Sequence, residues 1–132
     1  MGSEFTFYDF LDDSGNNVIH DWLQTIPKEV KEKLNKWLDN LEATPPGMWK
    51  RGLVDTLTDG PCAGLFEVRA RLGTQQYRIL GADTGVRRER ILLRCFIKPD
   101  RRVAPAECQR AKDKLQQFFA DPARHKAVHD YE

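Results

Sequence analysis

The sequence predicts an α+β domain with the element order β-α-α-β-β-β-α, in which helices pack on one face of an antiparallel sheet of about four strands. Three segments between positions 65 and 98 alternate apolar with polar residues, and short turns separate them. Two other segments, near 27–43 and 105–119, repeat apolar residues at the spacing of a helix. Runs of strands and runs of helices, rather than strict alternation of the two, are typical of α+β folds.

The length of the chain, 132 residues, suits one domain with a modest core of its own. We expect residues 1–5 to be a cloning scar, residues 6–120 to form the domain and residues 121–132 to form a polar C-terminal tail. Neither an apolar run of bilayer length nor a signal peptide is visible in the sequence. We therefore expect a cytoplasmic protein that makes no membrane contact.

The first half of the chain predicts one strand and two helices. Phe5–Leu11 alternates aromatic with polar residues, as an edge strand would. A short helix at Val18–Thr25 follows a turn, and Pro27 then opens a second helix that runs to about Ala43. One stripe of this second helix is apolar: Val30, Leu34, Trp37, Leu38 and Leu41. The segment Met48–Gly64 has no clear period and is predicted to be a loop.

Three strands form the centre of the predicted sheet, at Leu65–Leu72, Gln75–Ala82 and Arg90–Lys98. The turns between them are too short for a crossover, so neighbouring strands must run antiparallel. Because side chains alternate between faces, one face is predicted to be apolar and the other rich in charges. The apolar face contains Phe66, Val68, Ala70, Leu72, Tyr77, Ile79, Ile91, Leu93, Cys95 and Ile97. We expect the function on the charged face, which contains Glu67, Arg69, Arg71, Gln76, Arg78, Leu80, Arg94, Phe96 and Lys98.

The end of the chain predicts one more helix and a solvated tail. Pro105 opens the helix, and Asp121 and Pro122 end it. Its apolar side contains Cys108, Ala111, Leu115, Phe118 and Phe119. His125 and His129 have the i, i+4 spacing of a metal site, but no third ligand is nearby in the sequence. We expect both histidines to be solvated.

The cysteines indicate neither a disulfide framework nor a zinc site. Cys62, Cys95 and Cys108 are odd in number and lack the spacing of metal ligands. Cys95 falls on the apolar face and is predicted to be a core residue. The sequence also lacks a glycine-rich phosphate-binding loop. We therefore expect no cofactor and no metal.

Positive charge is concentrated in the predicted sheet. Residues 65–102 contain ten Lys and Arg against four Asp and Glu, whereas residues 1–64 contain six against eleven. The formal net charge of +1 therefore hides a dipolar molecule. A positive face that carries Phe96 suits a phosphate backbone and a stacked base. The simpler explanation of the same pattern is the solvated face of a half-buried sheet.

Three motifs occur in order along these strands: Gly64–Arg69 (GLFEVR), Tyr77–Leu80 (YRIL) and Leu92–Lys98 (LLRCFIK). With Pro105 and Glu107 at the start of the last helix, they resemble the RelE/ParE toxin superfamily. Within it they are most similar to the HigB-like, phage-derived toxin-like branch of type II toxin–antitoxin systems. The resemblance covers roughly residues 7–119 and implies a RelE-like fold.

The resemblance implies a toxin that is an endoribonuclease, an mRNA interferase that cuts mRNA on the ribosome through the RNA 2′-OH. It also implies a cognate HigA-like antitoxin with a helix-turn-helix domain. The toxin would then contact operator DNA only through this antitoxin. By matching position, Arg69 and Arg78 correspond to basic active-site residues, and Lys98 to the region after the last core strand. The chain departs from the family pattern at Pro99, where a second Lys is frequent, and at Glu67, where RelE has Lys.

The chemistry of this cleavage suggests roles for the matched residues. Guanidinium groups suit a dianionic phosphorane, so we assign Arg69 and Arg78 to the scissile phosphate. Lys98 adds charge or acts as the acid, with Arg94 as the alternative. Glu67 is the nearest candidate base, although a carboxylate between arginines is more often a structural ion pair. Further RNA contacts are expected from Arg71, Arg94, Phe96, Arg101 and Arg102.

Three side-chain orientations bear on these roles. Phe96 either stacks on a base or packs under the last helix. Tyr77 points to the core if alternation is strict. Arg78 is expected to be exposed, so that Arg78→Ala would abolish toxicity and leave the fold intact.

Two other functions are compatible with the sequence. One is a ParE-like toxin that inhibits DNA gyrase and cuts no RNA. The other is a non-catalytic module that binds nucleic acid through its basic sheet. A nuclease assay separates both from the mRNA interferase.

Overall fold

The computed structural model describes residues 5–44, 54–58, 60–98 and 104–131, and this part of the chain contains three helices and six strands. The strands are β1 Thr6–Phe10, β2 Val54–Thr56, β3 Leu65–Leu72, β4 Gln75–Asp83, β5 Glu89–Lys98 and β6 Lys126–Val128. The helices are α1 Val18–Leu23, α2 Lys28–Glu42 and α3 Pro105–Ala120. Within the described ranges, no helix is long and apolar enough to cross a membrane.

The strands form one mixed sheet in the order β2-β3-β4-β5-β1-β6. β1 pairs in parallel with β5, and the other neighbouring strands pair antiparallel. The α+β class is confirmed, but the prediction of about four antiparallel strands is wrong. The two additional strands, β2 and β6, have three residues each and lie at the two edges. Three residues are too few for a pattern of alternation to stand out in the sequence.

The central elements begin and end close to their predicted bounds. β3 has the bounds that its alternation predicts, and β4 and β5 are each one residue longer. The antiparallel pairing of these strands, which their short turns predict, is also confirmed. α1 is capped by Asn17, whose side-chain oxygen accepts from the backbone N–H of His20 at 2.9 Å.

Helices cover both faces of the sheet, so the prediction that they pack on one face is wrong. On the face covered by α1 and α2, which we call the α2 face, Ile19 and Leu34 share a core with Val68 and Ile79 of the sheet. On the opposite face, which we call the α3 face, Cys108, Ala111 and Phe118 of α3 bury Leu65, Leu80, Ile91, Leu93 and Phe96. The face predicted to be charged is the α3 face, and its apolar half is a second core.

A β-bulge in the middle of the sheet explains how this second core forms. Leu80 pairs with Arg94 and the next residue, Gly81, pairs with Leu92, so that Leu93 is an extra residue in β5. The bulge reverses the alternation, and Ile91 and Leu93 pack on the α3 face rather than with Cys95. Their predicted orientation is therefore wrong.

Gly81 is required at the bulge for steric reasons. A Cβ at this position would lie 2.7 Å from the carbonyl oxygen of Ile91 and would overlap the ring of Phe66. No side chain larger than hydrogen fits without movement of β5.

A disulfide joins Cys62 to Cys108, with their Cα atoms 5.0 Å apart. It links the short 3₁₀ turn Gly60–Cys62 to α3, next to the core of the α3 face. The prediction of no disulfide is wrong, because the two cysteines are distant in sequence and only the packing of α3 on the sheet brings them together. Cys95 is half-buried against the core of the α2 face, and burial raises the pKa of its thiol.

The C-terminal segment is part of the sheet rather than a solvated tail. β6 pairs antiparallel with β1, and His125 and His129 are both buried. Nδ1 of His129 lies 2.7 Å from Oδ1 of Asp9, and Nε2 lies 2.8 Å from Oδ1 of Asn35. The expectation of solvated histidines is therefore wrong. In the described part of the chain, no group of three metal-ligating side chains is present.

Candidate functional site

Register places the predicted site residues in rows across the α3 face. β2, β3, β4 and β5 are neighbours, so residues paired in register lie side by side on one face. The first row is Arg71, Gln76 and Lys98; the second is Arg69, Arg78 and Phe96; the third is Asp55, Glu67, Leu80 and Arg94. The cationic end of this face is the end at which β3 finishes and β4 begins.

Charged side chains of the second and third rows form a continuous chain of ion pairs. Nη2 of Arg69 lies 2.7 Å from Oδ2 of Asp55, and Nε of the same arginine lies 3.5 Å from Oε1 of Glu67. Oε2 of Glu67 lies 3.3 Å from Nη1 of Arg78, whose Nη2 donates to Oε1 of Gln76 at 3.1 Å. We call these five residues, from β2, β3 and β4, the arginine network. Its two arginines and two carboxylates balance in charge.

Arg78 is at the buried end of the arginine network. Its side chain is 0% exposed, so the prediction of an exposed arginine is wrong. Its Nε is buried and has no hydrogen-bond partner. A buried guanidinium with a free donor is costly unless its counter-ion is held firmly, which makes Glu67 essential to its stability.

Glu67 is equally buried, with 1% of its side chain exposed. Burial raises the pKa of this carboxyl, and the nearby charges of Arg78 and Arg69 only partly oppose the effect. A carboxyl that holds its proton to a higher pH is better matched to proton transfer near neutrality than an ordinary glutamate. The position of Glu67, between two guanidinium groups, is therefore compatible both with a base and with a structural ion pair.

Arg69 is the accessible arginine of the network, with 21% of its side chain exposed. Arg71 is exposed and donates from Nε to the carbonyl oxygen of Gly73 at 2.8 Å. Lys98 is half-buried at the end of β5. These three cations lie within two adjacent rows, and an anion that approaches this end of the sheet meets them first.

The remaining predicted residues have three different outcomes. Phe96 is buried in the core under α3, which is the second of its two predicted orientations, and Tyr77 is buried on the α2 face. Arg94 points towards α3 and donates to Oε1 of Glu107, with Nη2 at 3.1 Å. Arg101 and Arg102 lie outside the described residues.

Sequence reasoning missed two members of the network, Asp55 and Gln76. Asp55 belongs to β2, where three residues carry no periodic signal. Gln76 is on the predicted charged face, but no chemical role distinguished it. Gln76 lies opposite Arg71 and two residues before Arg78 on the same strand, and this position could have identified it as a hydrogen-bond partner of an arginine.

Histidine is not part of the network. The three histidines of the chain are His20 in α1 and His125 and His129 in the C-terminal segment. Acid–base chemistry at this site would therefore depend on carboxylates and on Lys98.

Comparison with known proteins places the chain in one family. Residues 21–116 match the family described as Phage derived protein Gp49-like (DUF891). No curated protein and no solved structure matches. The matched range extends from α1 into α3 and contains the whole arginine network, and it covers most of the 132 residues. The chain therefore belongs to the Gp49-like family of phage-derived proteins, a toxin-like family linked to the RelE/ParE type II toxins.

Proposed function

We propose that this chain is the toxin of a type II toxin–antitoxin pair and that it cuts mRNA on the ribosome. The observation that supports the proposal most strongly is the arginine network, in which a buried carboxyl, Glu67, lies between two arginines on a sheet face with further cations at its end. Charge-stabilised phosphate and a nearby base are the requirements of RNA cleavage through the 2′-OH.

In the proposed reaction the 2′-OH attacks the adjacent phosphate. Glu67 is as buried as Arg78, so it would accept the 2′-OH proton only where the substrate displaces Arg69 or Arg78 from its carboxylate. The O2′–P bond then forms, and the bond from phosphorus to the 5′-oxygen breaks. Lys98 donates a proton to the departing 5′-oxygen, which leaves a 2′,3′-cyclic phosphate and a 5′-hydroxyl. Arg69, whose side chain is 21% exposed and is paired with Asp55 and Glu67, would neutralise charge on the phosphorane.

Arg78 has a different proposed role because it is buried in this conformation. Its guanidinium holds the Glu67 carboxylate, and it would contact the phosphate only if it exchanged Glu67 or Gln76 for the substrate. Arg71 is exposed beside Arg69 and is proposed to bind the RNA backbone, together with Arg101 and Arg102. We propose a cytoplasmic site of action and a helix-turn-helix antitoxin, HigA-like, as the partner that blocks this face.

Primer extension on an mRNA from a cell-free translation reaction tests the proposal. New 5′ ends should appear with the protein and disappear when ribosomes are omitted. Arg69→Ala should reduce the yield of these ends by about 10²-fold or more, since it removes charge from the phosphorane. Arg87→Ala is the matched control, because Arg87 is an exposed arginine in the turn between β4 and β5. It should cut as the unmodified protein does.

The same preparation distinguishes the alternative functions. If no new ends appear and the protein inhibits supercoiling by DNA gyrase, the ParE-like function replaces the nuclease. If neither activity is present and the protein binds nucleic acid, it is a non-catalytic module. Equal cutting by Arg69→Ala and Arg87→Ala would remove the arginine network from the active site.

A further inference from the structure

A second cluster of charges lies between β5 and α3, outside the arginine network. Glu107, in the first turn of α3, is buried, and its Oε1 accepts from two arginines. Nη1 of Arg110 lies 2.7 Å away, and Arg94 donates from Nη2 at 3.1 Å and from Nε at 3.3 Å. Two guanidinium groups of different elements therefore converge on one carboxylate oxygen.

This cluster carries surplus positive charge, unlike the balanced arginine network. Burial alone would raise the pKa of Glu107, but hydrogen bonds and charges from Arg110 and Arg94 outweigh it and lower the pKa below its ordinary value. Glu107 is therefore ionised at neutral pH and balances only one of its two arginines. Lys114 lies near this cluster. Burial lowers the pKa of Lys114 most, and the positive charge of Arg94 lowers it further, whereas Asp12 and Glu107 raise it.

The surplus charge is accessible to a ligand. The side chain of Arg110 is 60% exposed and that of Arg94 is 29% exposed, whereas Glu107 is 6% exposed. Glu107 thus fixes the two guanidinium groups by hydrogen bonds to its Oε1, while both arginine side chains stay partly exposed. Fixed, planar guanidinium groups are well suited to phosphate oxygens, because less side-chain entropy is lost on binding.

The position of the cluster relates it to the candidate active site. Arg94 pairs in register with Leu80, and Leu80 pairs with Glu67. Arg94 and Glu67 are therefore two strands apart, a backbone separation of about 10 Å. α3 buries Leu80 between them, so a single RNA strand bound at the arginine network would reach Arg94 and Arg110 by passing around α3 rather than across the sheet.

We propose that Arg94 and Arg110, held by Glu107, form a second phosphate-binding site that receives the RNA backbone next to the cleaved phosphate. The proposal rests on the proposed function for the identity of the ligand, a single-stranded RNA. It assigns binding, not catalysis, to the cluster, and it adds Arg110 and Glu107 to the residues that sequence reasoning selected. A purely structural cluster, which only ties α3 to β5, would make no contribution to RNA binding.

Salt dependence of RNA affinity separates these two roles. The probe is a fluorescent 2′-O-methyl oligoribonucleotide, which cannot be cut, and its anisotropy is followed between about 50 and 300 mM salt. For a single strand, log K falls with log salt, and each lost phosphate contact reduces the magnitude of this negative slope by about 0.7. Arg110→Ala should show this loss, together with a loss of affinity of about threefold to tenfold at the lowest salt. Arg87→Ala, an exposed arginine outside the cluster, should keep the unmodified slope.

Two further measurements make the result decisive. The thermal midpoints of Arg110→Ala and Arg87→Ala should agree within a few degrees, so that a lost slope is not a folding defect. Cutting by Arg87→Ala, whose exposed arginine lies outside the cluster, should match that of the unmodified protein. Equal slopes for Arg110→Ala and the unmodified protein, tighter binding to double-stranded DNA than to RNA, or no binding at the lowest salt would each overturn the proposal.

The outcome is independent of the nuclease. If the protein cuts mRNA but Arg110→Ala keeps the full slope, the second phosphate site is wrong and the proposed function survives. If Arg110→Ala loses slope but no mRNA is cut, the site survives and the nuclease is wrong.

Discussion

Replacement of Arg78 by methionine should destabilise the protein strongly, although an arginine on a sheet face is usually dispensable. The side chains of Arg78 and Glu67 are 0% and 1% exposed, and their charged atoms lie 3.3 Å apart. Arg78→Met keeps most of the apolar volume but leaves a buried carboxylate with a weaker partner, Arg69, whose Nε is 3.5 Å away. The loss therefore measures the buried charge rather than a cavity.

The expected magnitude follows from the burial of the pair. Removal of one member of a buried ion pair costs about 3–5 kcal/mol. Glu67 keeps Arg69 and can take up a proton, so we expect the lower end, about 3 kcal/mol. This is a large part of the roughly 5–15 kcal/mol by which small domains are stable. With a urea m-value of about 2 kcal/mol/M, the unfolding midpoint should fall by about 1.5 M.

Urea unfolding followed by the fluorescence of Trp22 and Trp37, which pack against the core of the α2 face, measures the change. Arg87→Met is the control and should shift the free energy of unfolding by less than about 0.5 kcal/mol. The double variant Glu67→Gln/Arg78→Met should be more stable than the sum of the two single changes by about 2 kcal/mol. A cost below about 1 kcal/mol for Arg78→Met, or strict additivity, would refute the reasoning.

The same pair predicts a dependence on pH. Burial raises the folded-state pKa of Glu67 above its ordinary value of 4.5, so the folded state binds this proton more tightly than the unfolded state. Its contribution is fully present below about pH 4.5 and is lost as the pH rises through the folded-state pKa. The stability of Glu67→Gln, relative to the unmodified protein, should therefore increase as the pH rises from about 4.5. A difference that is independent of pH would contradict the raised pKa.

Three other changes follow from the fold. Reduction of the Cys62–Cys108 disulfide, which spans 46 residues, should lower the free energy of unfolding by about 4 kcal/mol. Urea unfolding with and without a dithiol measures this loss. The variant Cys62→Ser/Cys108→Ser should be insensitive to the dithiol. His129→Ala should lower the free energy of unfolding by about 2–4 kcal/mol in the same assay, because the fully buried carboxylate of Asp9 loses a hydrogen-bond partner. A change under about 0.5 kcal/mol would show that this contact does not hold β6 in place. Gly81→Ala should lower the thermal midpoint by several degrees, since the added methyl group overlaps a carbonyl of β5, and an unchanged midpoint would count against the bulge.

The sequence alone determined the type and bounds of the longer elements, in which the pattern of apolar and polar residues repeats over several helical turns or strand alternations. β3 has the predicted bounds Leu65–Leu72, and α2 and α3 agree with the prediction to within about a residue. The same alternation placed Tyr77 in the core and the site residues of β3, β4 and β5 together on one face. Short turns settled the antiparallel pairing of these strands, because geometry leaves no other connection.

Only the tertiary structure decided which of these residues are exposed to solvent and which contact each other. Periodicity separates two faces of a strand, but it does not say that α3 will cover the second face, and so it predicted Arg78 to be exposed. The bulge at Gly81, the edge strand that contains Asp55 and the pairing of Cys62 with Cys108 all depend on neighbours distant in the chain. Local patterns record the preference of a segment for burial, whereas burial itself is set by the segments that pack against it.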